Sequence, residues 1–345
     1  MRVAGIGSGN PINMKSALIT GITGQDGSYL AELLLGKGYA VHGLVRRASM
    51  FNRSRIEHLR PDATSPGRQL YLHYADLYDA TSLRRLVGQV KPDEIYHFAG
   101  QSHVGLSYEI PEATCQEVGM ATLSLLEILR DHNRPVRLYY AASSEVFGNP
   151  SQSPQNEETP FRPVSPYGCA KAFAAQLCRT YRTAYGMFVS TGIAYNHESP
   201  RRGENFVTRK ITVAAARIKL GLQKEVSLGD LEARRDWGYA PEYVEGMWRM
   251  LQAERPDDYV LATNETHSIG EFLDAAFGHA GLDWHDHVKF DPRFVRPAEV
   301  NLLCGDFRKA RERLGWEPAT RMDALARLMT DADVEALSAP PNKVP

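Results

Sequence analysis

Four residues in the middle of the sequence have types and spacings that suit acid–base chemistry. Tyr167 and Lys171 are four positions apart, so a helix places them on one face, about one turn apart. Because a nearby ammonium stabilises a phenolate, we expect the pKa of Tyr167 to fall toward neutrality, which suits a base that takes the proton of an alcohol while hydride leaves the carbon. Ser143 supplies a hydroxyl partner. A simple alcohol dehydrogenase does not need Glu145, which therefore predicts a second proton transfer, at carbon, and an elimination coupled to the oxidation.

A glycine-rich turn near the N-terminus is typical of a dinucleotide site. Gly21, Gly24 and Gly27 lie between an apolar strand predicted over residues 15–20 and a helical pattern over residues 28–36. Glycines there allow a tight turn and let backbone N–H groups approach a pyrophosphate at the helix N-terminus. The pattern alone is weak, since glycines punctuate many turns between strands and helices.

The end of the next predicted strand, residues 40–45, indicates which dinucleotide is bound. In NAD-binding sheets an acid at this point bonds the ribose 2′-hydroxyl. Here Arg46 and Arg47 follow the strand, and no acid occurs until Glu57. Two guanidinium groups suit a 2′-phosphate. A solvated basic turn is the alternative, and we predict NADP as the cofactor.

Two further strand ends are candidates for cofactor contacts. Asp76 and Leu77 follow a strand predicted over residues 69–74, where an acid can accept from the adenine amino group, although a surface turn aspartate is nearly as good an explanation. The FAGQS segment ends the strand predicted over residues 94–99, and small residues there would let the cofactor lie against the backbone. Histidines at strand ends, such as His97, are more often structural than catalytic.

The apolar pattern predicts the elements that position these residues. Strands and helices alternate from residue 15 to residue 193, which is typical of an α/β fold with a doubly wound parallel sheet of the Rossmann type. The remaining predicted helices cover residues 80–89, 112–130 and 166–184, and the remaining strands cover residues 136–141 and 188–193. The regularity fades after Asn196: we predict a loop over residues 197–206 and a basic helix over residues 207–220.

This pattern divides the chain into parts. The parts are an N-terminal extension (1–14), an NADP-binding domain (15–195, with a return of the chain around 231–265), a smaller mixed α/β substrate-binding lobe (196–230 and 266–338) and a tail (339–345). The lobe would cover the carboxyl ends of the strands, where such sheets bind ligands. Met14 is an alternative start, which would make residues 1–13 a loose extension.

The composition limits the classes of partner. The chain has 345 residues and a formal net charge of −1, which argues against nucleic acid or an anionic membrane as the main partner. No long apolar run without charges predicts a spanning helix, and the N-terminus lacks the apolar stretch of a signal peptide. The four cysteines show neither metal-ligand nor disulfide spacing, so we expect no metal site and a cytoplasmic location.

Basic residues are concentrated in the second lobe although the overall charge is balanced. They occur as the pairs Arg201-Arg202, Arg209-Lys210 and Arg234-Arg235. Any one of them is more often a solvated surface charge than a ligand contact. Together they predict an anionic substrate, because a diphosphate needs such donors.

With these residues in place, the chain resembles the GDP-mannose 4,6-dehydratases, a family of the extended short-chain dehydrogenase/reductases. The resemblance runs from about Lys15 to about Leu337 and rests on ALITGITGQDGSYLAE, RRASMFNRSRI, GQSHVGLSYE, NHESPRRGENFVTRKI, ARRDWGYAPEYVEGMW, PDDYVLATNETHS and RPAEV. The NHESPRR and RRDW segments are particular to sugar-nucleotide dehydratases of this kind. The resemblance implies a lyase that oxidises C4 of a GDP-hexose, eliminates water across C5 and C6, returns hydride to C6 and regenerates NADP.

The resemblance also assigns roles to residues. It implies that the catalytic residues are Ser143, Glu145, Tyr167 and Lys171. It implies cofactor contacts from Gly21, Thr23, Gly24, Gln25, Asp26, Gly27, Arg46, Arg47, Ser49, Asp76, Leu77, Phe98, Ala99, Gly100, Gln101, Ser102, Lys171, His197 and Arg202. It implies substrate contacts from Ser102, His103, Ser144, Asn196, Val207, Lys210, Arg235, Arg296 and Glu299, the last as a reader of guanine. The family forms a homotetramer or homodimer, with the RRASMFNRSRI segment beside neighbouring cofactors.

Three positions depart from the family pattern. Ser143 replaces the usual threonine, so the hydroxyl remains but the methyl that stiffens χ1 is lost. Ala113 stands where the family often has a cofactor-contacting tyrosine, and Gly100 replaces a more usual alanine. Together these features indicate a sub-branch, some of whose members act on GDP-manno-heptose, so both sugars stay open.

Two other function classes share the fold. A C4 epimerase or a simple reductase oxidises or reduces at C4 but needs no base for C5, so Glu145 counts against both. A non-catalytic NADP sensor would not need the whole set of Ser143, Glu145, Tyr167 and Lys171.

Overall fold

The computed structural model of the chain describes residues 14–47, 52–60, 69–132, 134–294, 300 and 303–339. The predictions about residues 1–13 and 340–345, and those that concern Ser49, Arg296 and Glu299, lie outside these ranges.

Most of the strands belong to one sheet. In chain order the strands are β1 (Ser16–Thr20), β2 (Ala40–Val45), β3 (Leu70–Tyr74), β4 (Glu94–His97), β5 (Arg137–Ser143), β6 (Val189–Ala194), β7 (Asn196–Glu198), β8 (Val226–Leu228), β9 (Arg234–Arg235), β10 (Trp237–Tyr239), β11 (Asp258–Leu261), β12 (His267–Ser268) and β13 (Val288–Phe290). The central sheet has seven parallel strands in the order β11-β6-β5-β4-β1-β2-β3. This arrangement confirms the predicted doubly wound sheet, whose strand order reverses between β1 and β4.

Helices cover both faces of the sheet and build a separate group after it. In chain order the α-helices are α1 (Gln25–Gly36), α2 (Ala80–Val90), α3 (Pro111–Cys115), α4 (Ala121–Arg130), α5 (Pro166–Tyr185), α6 (Val207–Lys219), α7 (Ala240–Gln252), α8 (Ile269–Ala280), α9 (Arg308–Leu314) and α10 (Met322–Ser338). Short 3₁₀ turns cover Ser54–Leu59, Gly105–Tyr108, Ser144–Val146, Trp284–Asp286 and Pro292–Phe294. A single π-helical segment, Gln116–Met120, joins α3 to α4.

Three apolar clusters hold these layers together. One lies between the sheet and the α2, α4 and α5 side, and includes Leu126 and Ile193. A second lies on the α1, α7 and α9 side, and includes Ile19 and Met250. The third is built by α6, α8 and α10 around Phe272, away from the sheet. The helices therefore pack on both faces of the sheet. Helices α6, α8 and α10 have an apolar core of their own.

The C-terminal half of α5 is tied to the edge of the sheet. Arg179 and Arg182 each lie 2.5 Å from a carboxylate oxygen of Asp258 on β11. Asp258 is buried, and a buried carboxylate is stable only when it is paired. These ion pairs fix the helix against the edge strand.

Two predicted elements differ from the structure. The helix predicted over residues 112–130 is interrupted by the π-helical segment. The sequence did not predict this segment, because one wider turn leaves the amphipathic period of a helix almost unchanged. The loop predicted over residues 197–206 begins with strand β7, in which His197 pairs with Gly238 of β10. The loop prediction was wrong there, because the two short strands are fixed by a distant partner rather than by local alternation.

Candidate active site

The glycine-rich turn after β1 is closed by contacts that only glycine permits. Gly21 has φ +77°, and a Cβ on it would lie 2.9 Å from the backbone nitrogen of Ala99. A Cβ on Gly27 would lie 2.3 Å from the carbonyl oxygen of Gly21. Helix α1 follows directly. Its N-cap residue is Gly24, and no described side chain makes a capping hydrogen bond there. The first backbone N–H groups of α1 are therefore free of side-chain caps, as a phosphate-binding turn requires.

The segment after β4 lies against this turn. The backbone N–H of Ala99 donates to Thr20 Oγ1 at 3.2 Å, and the same hydroxyl lies 2.8 Å from His97 Nδ1. Gln101 donates through Nε2 to the carbonyl of His103, while its Oε1 is buried and has no hydrogen-bond partner among the described residues. An unpartnered buried acceptor is costly unless a ligand donates to it.

His97 is a structural residue, as its position at a strand end suggested. Burial, helped by the charge of Lys171, lowers the pKa of His97 to about 3, so the imidazole is neutral. It is hydrogen-bonded to Thr20 inside the sheet and is 2% exposed.

A partly buried acid and a buried histidine connect the glycine turn to β7. Asp26 Oδ2 lies 2.9 Å from His197 Nε2, and His197 Nδ1 lies 2.7 Å from the carbonyl oxygen of Tyr195. Gln25 donates through Nε2 to the carbonyl of His197 at 2.9 Å. Although burial opposes it, the charge and hydrogen bond of His197 lower the pKa of Asp26 to about 2. Thus the resemblance-derived cofactor residues Gln25, Asp26 and His197 form one hydrogen-bonded group.

Helix α5 carries Tyr167 and Lys171 at its buried N-terminal end. Ser165 caps the helix by accepting from the backbone N–H of Gly168 at 3.0 Å, and Pro166 occupies the first turn, where it suits the helix geometry. A Cβ on Gly168 would lie 2.7 Å from the carbonyl oxygen of Glu145. Glycine at this position therefore lets the helix approach the end of β5 closely.

The four predicted catalytic residues lie together at this contact. Ser143 ends β5 and hydrogen-bonds the phenol of Tyr167, and its Oγ also accepts from the backbone N–H of Glu145 at 3.3 Å. Lys171 Nζ donates to the carbonyl of Ala141 at 2.6 Å and lies 5.7 Å from the centroid of the Tyr167 ring. Tyr167, Glu145 and Lys171 are 7%, 7% and 8% exposed. A phenol, a carboxylate, a hydroxyl and an ammonium thus share one buried site.

The expected fall in the pKa of Tyr167 does not occur in the protein alone. Burial, together with the negative charge of Glu145, raises its pKa to about 12, against the hydrogen bond from Ser143 and the charge of Arg202. Burial also lowers the pKa of Lys171 to about 8, against the charge of Asp26. The spacing of Tyr167 and Lys171 indicates the nearby ammonium but not the loss of solvent, which is the larger influence on the pKa here.

The residues predicted to contact the adenosine end lie at the ends of β2 and β3. Arg46 and Arg47 are exposed directly after β2, and Arg46 Nη1 lies 3.7 Å from Glu117 Oε1. Asp76 follows β3 and accepts from the backbone N–H of Tyr78 at 3.0 Å, as a turn aspartate does. Leu77 is half-buried against the apolar cluster under α2.

One member of each of the three basic pairs is held by a carboxylate from a distant segment. Arg201 pairs with Glu32 at 2.5 Å, Arg234 pairs with Glu271 at 2.8 Å, and Arg209 pairs with Asp333. Ion pairs of this kind hold segments of the chain together, and their arginines are already engaged. They reduce the set of basic residues available to a substrate.

The neighbouring members of two pairs donate to backbone carbonyls. Lys210 donates to the carbonyl of Ser227 at 2.7 Å and lies over the ring of Phe294, 3.5 Å from its centroid. Arg235 donates through Nη1 to the carbonyl of Val300 at 2.8 Å. Asn196 on β7 lies opposite Trp237 on β10, and Arg235 on β9 precedes Trp237 by two residues.

The remaining predicted substrate and cofactor residues have mainly local contacts. Arg202 Nε lies 3.1 Å from Glu198 Oε2, and its guanidinium lies over the ring of Phe206. His103 packs edge-on against Phe206, Ser102 is exposed, and Ser144 is buried. The other residues of the two sets are Val207, which begins α6, Thr23 in the glycine turn, and Phe98 and Gly100 after β4.

Arg55 was missed by the sequence reasoning. It donates through Nε to the carbonyl of Arg201 at 2.7 Å and through Nη1 to the carbonyl of Thr23 at 3.4 Å, so it braces the glycine turn. A polar cavity of about 330 Å³ opens beside it. Its lining residues are Ser54, Arg55, His58, Pro200, Arg201, Arg202, Glu204 and Arg209. The only sequence signal was membership of the RRASMFNRSRI segment.

The described part of the chain contains neither a cluster of metal-ligating side chains nor a helix suited to a membrane. Within those residues, no cluster of three or more His, Cys, Asp or Glu side chains is arranged to hold a metal ion. None of the helices described above has the length and apolar character needed to cross a membrane.

Comparison with known sequences gives a consistent family. The family model described as GDP-mannose 4,6 dehydratase matches residues 18–329. GDP-mannose 4,6 dehydratase 2 of Arabidopsis thaliana is 56% identical over 326 residues, which cover 93% of this chain and 87% of that protein. GDP-mannose 4,6 dehydratase of Homo sapiens is 48% identical over 355 residues, which cover 97% of this chain and 95% of that protein.

Comparison with solved structures supports the fold. A UDP-glucose 4-epimerase from Bifidobacterium longum, solved in complex with NAD⁺ and UDP, superposes with a TM-score of 0.81 at 23% identity and covers 94% of this chain and 99% of its own. A dTDP-glucose 4,6-dehydratase from Streptomyces venezuelae, solved with NAD bound, gives a TM-score of 0.81 at 23% identity and covers 93% of this chain and 97% of its own.

Proposed function

The chain belongs to the GDP-mannose 4,6-dehydratase family, and from that membership we propose that it converts GDP-mannose to GDP-4-keto-6-deoxymannose. The observation that carries the proposal is the buried carboxylate of Glu145 beside the phenol of Tyr167. Oxidation at C4 alone needs the phenol and the ammonium of Lys171. The carboxylate is the group that an elimination adds, because a second base is required at C5.

We propose that the cofactor is NADP. Three features of the chain fit a dinucleotide: the uncapped N-terminus of α1, the glycine turn, and the unpartnered acceptor of Gln101. Both solved structures compared above hold NAD, which supports a nicotinamide dinucleotide. The exposed guanidinium groups of Arg46 and Arg47 favour the 2′-phosphate that distinguishes NADP. When bound, the dinucleotide accepts hydride from C4 of the hexose and returns hydride to C6.

Tyr167 is the proposed acceptor of the proton of the C4 hydroxyl. Its pKa of about 12 means that the phenol keeps its proton in the protein alone. Positive charge beside a phenol favours the phenolate, so we propose that the pKa of Tyr167 falls when the oxidised, cationic nicotinamide is bound. The hydrogen bond with Ser143 and the ammonium of Lys171 support the same ionisation.

Glu145 is the proposed base at C5. The 4-keto group acidifies the C5 proton, which the carboxylate removes, and the electron pair expels the C6 hydroxyl. That hydroxyl leaves as water after it takes a proton from the Glu145 carboxylic acid or from the Ser143 hydroxyl. Because the side chain of Glu145 is largely buried, its charge is poorly screened and the proton transfers occur away from bulk water.

The substrate diphosphate is the proposed ligand of the second lobe. Lys210 on α6, Arg235 on β9 and Asn196 on β7 would supply two cations and an amide. Arg296 and Glu299 stay predictions, since they lie outside the described residues, and so does the division of the chain into two lobes. We further propose a cytoplasmic enzyme of the lyase class that forms a homotetramer or a homodimer.

GDP-manno-heptose is the second candidate substrate, and the smaller side chains at Ser143 and Gly100 favour it. The deciding experiment incubates the purified protein with each GDP-sugar and NADP, with no added reductant. A product lighter by one water, carrying a ketone that an oxime reagent traps, is expected from one of the two sugars. An unchanged mass with an altered C4 configuration would identify an epimerase, and a requirement for NADPH would identify a reductase. No product from either sugar would overturn the proposal.

A further inference from the structure

An acid stands where the proposed function needs to bind a diphosphate. Asp26 is the second residue of α1, two positions after the N-cap residue Gly24, and its side chain is 22% exposed. A carboxylate in the first turn stabilises the helix dipole. It also repels an anion at the same N-terminus, so an uncompensated Asp26 would oppose a pyrophosphate there.

His197 supplies the compensating charge. Its Nδ1 lies 2.7 Å from the Tyr195 carbonyl oxygen and its Nε2 lies 2.9 Å from Asp26 Oδ2. Both partners are acceptors, so both ring nitrogens carry a proton and the ring is an imidazolium. Tyr243 stacks on the ring at 4.8 Å between centroids, and Gln25 donates to the backbone carbonyl of His197. The histidine is therefore fixed in position by α1, by α7 and by the residue that joins β6 to β7.

We propose that His197 is a positioning residue whose positive charge neutralises Asp26, so that the N-terminus of α1 accepts the diphosphate of the dinucleotide. This inference rests on the proposed function. It assigns His197 a role through Asp26, because both ring nitrogens already face protein acceptors.

The same carboxylate acts on the catalytic pair. The charge of Asp26 raises the pKa of Tyr167 and also that of Lys171, although burial is the larger influence on each. Neutralisation of Asp26 by His197 thus favours the phenolate as well as the diphosphate. The other groups that face the pair are the guanidinium of Arg202 and the phenols of Tyr139 and Tyr243, which burial keeps neutral.

The test separates charge from shape with three variants. His197→Gln keeps a donor toward Asp26 but removes the positive charge, and it should raise the dissociation constants of NADP and of inorganic pyrophosphate about three- to tenfold. Asp26→Asn should bind NADP and pyrophosphate within about twofold of wild type. This variant removes the negative charge, and without it His197 also loses its positive charge, so the net charge of the pair does not change. The double variant should also bind within about twofold of wild type, since no unpaired carboxylate remains.

Calorimetric titration gives the dissociation constants, and circular dichroism melting checks that each variant is folded. A double variant that binds NADP as weakly as His197→Gln would show that His197 acts through its shape and not through its charge, which would overturn the inference. So would unchanged affinity in His197→Gln. If His197→Gln does not fold, the inference is tested with Asp26→Asn alone. The affinity of that variant for NADP should lose the pH dependence that His197 gives to the wild type.

The pH profile is a readout that a structural role would not move. Although burial opposes it, the charge of Asp26 raises the pKa of His197, so the affinity for NADP should fall as rising pH deprotonates the imidazolium. Lys171, with a pKa of about 8, also loses its charge as the pH rises. Wild type and Asp26→Asn both retain Lys171, so the informative quantity is the difference between their two pH profiles. Identical profiles would contradict the inference. All readouts are binding constants, so they are unaffected if the protein fails to turn over GDP-mannose.

Discussion

Replacing Glu145 by glutamine should stop dehydration while leaving the first oxidation intact. Glutamine has nearly the volume of glutamate, so the buried site, in which residue 145 is 7% exposed, keeps its packing. The amide cannot accept the C5 proton. The negative charge that raises the pKa of Tyr167 also disappears, so removal of the C4 hydroxyl proton is not impaired.

The magnitude follows from the loss of one general base. A positioned base contributes about 10²- to 10⁴-fold to the rate, so kcat for dehydration should fall by that factor, about 3–5 kcal/mol in the barrier. The exposed Glu158 provides a matched control, and Glu158→Gln should keep kcat within about twofold of wild type because it touches no part of the site.

The assay follows two atoms of the substrate. In deuterated water, wild type should give a product with deuterium at C5, and Glu145→Gln should leave the C5 proton in place in the recovered sugar. Near-ultraviolet absorbance should show reduced nicotinamide that persists in the variant and not in wild type. Dehydration within about tenfold of wild type would refute the assignment of the base, and so would loss of C4 oxidation together with elimination.

Three further predictions test the cofactor site and the fold. Changing Arg46 and Arg47 together to alanine should raise the dissociation constant of NADP about 10- to 100-fold and leave that of NAD within about threefold; equal losses in a calorimetric titration would contradict the 2′-phosphate assignment. Gly27→Ala places a Cβ 2.3 Å from a backbone oxygen, so dinucleotide binding should be lost and the melting temperature lowered; unchanged binding would show that the turn is not needed. Although burial opposes it, Arg182 lowers the pKa of Asp258, so the ion pair stabilises the fold at neutral pH and is lost as acid titrates the folded carboxylate. Urea unfolding of Asp258→Asn should therefore show less stability near neutral pH and a weaker loss toward about pH 3 than wild type, and parallel curves would exclude this linkage.

The sheet and the meeting of Ser143, Tyr167 and Lys171 were predictable because local pattern determines both. The strand predicted over residues 40–45 has the same limits in the structure, since its apolar run is bounded by turn residues on both sides. Tyr167 and Lys171 meet on one helix by spacing alone, and Ser143 joins them because carboxyl ends of parallel strands share an edge.

What the sequence could not supply are contacts set by distant partners. Strand β7 is defined by β10, about forty residues later, and carries buried polar residues that resemble a loop. The sequence leaves Arg209 available to a substrate, whereas in the fold it pairs with Asp333 on α10. The pKa of Tyr167 depends on how much solvent the fold removes, which spacing does not report. The charge pair of Asp26 and His197 needs two segments of the chain that only the fold brings together.

Helix α5 is held at both ends, by the Ser165 cap beside the catalytic residues and by the ion pairs of Arg179 and Arg182 with Asp258. Its backbone amides should accordingly exchange with solvent only when the whole domain opens. A rigid α5 has a consequence for protein engineering, because a helix fixed at both ends cannot easily move to make room for a larger ligand. Libraries built to alter the proposed substrate should therefore vary segments outside α5 and leave this helix unchanged.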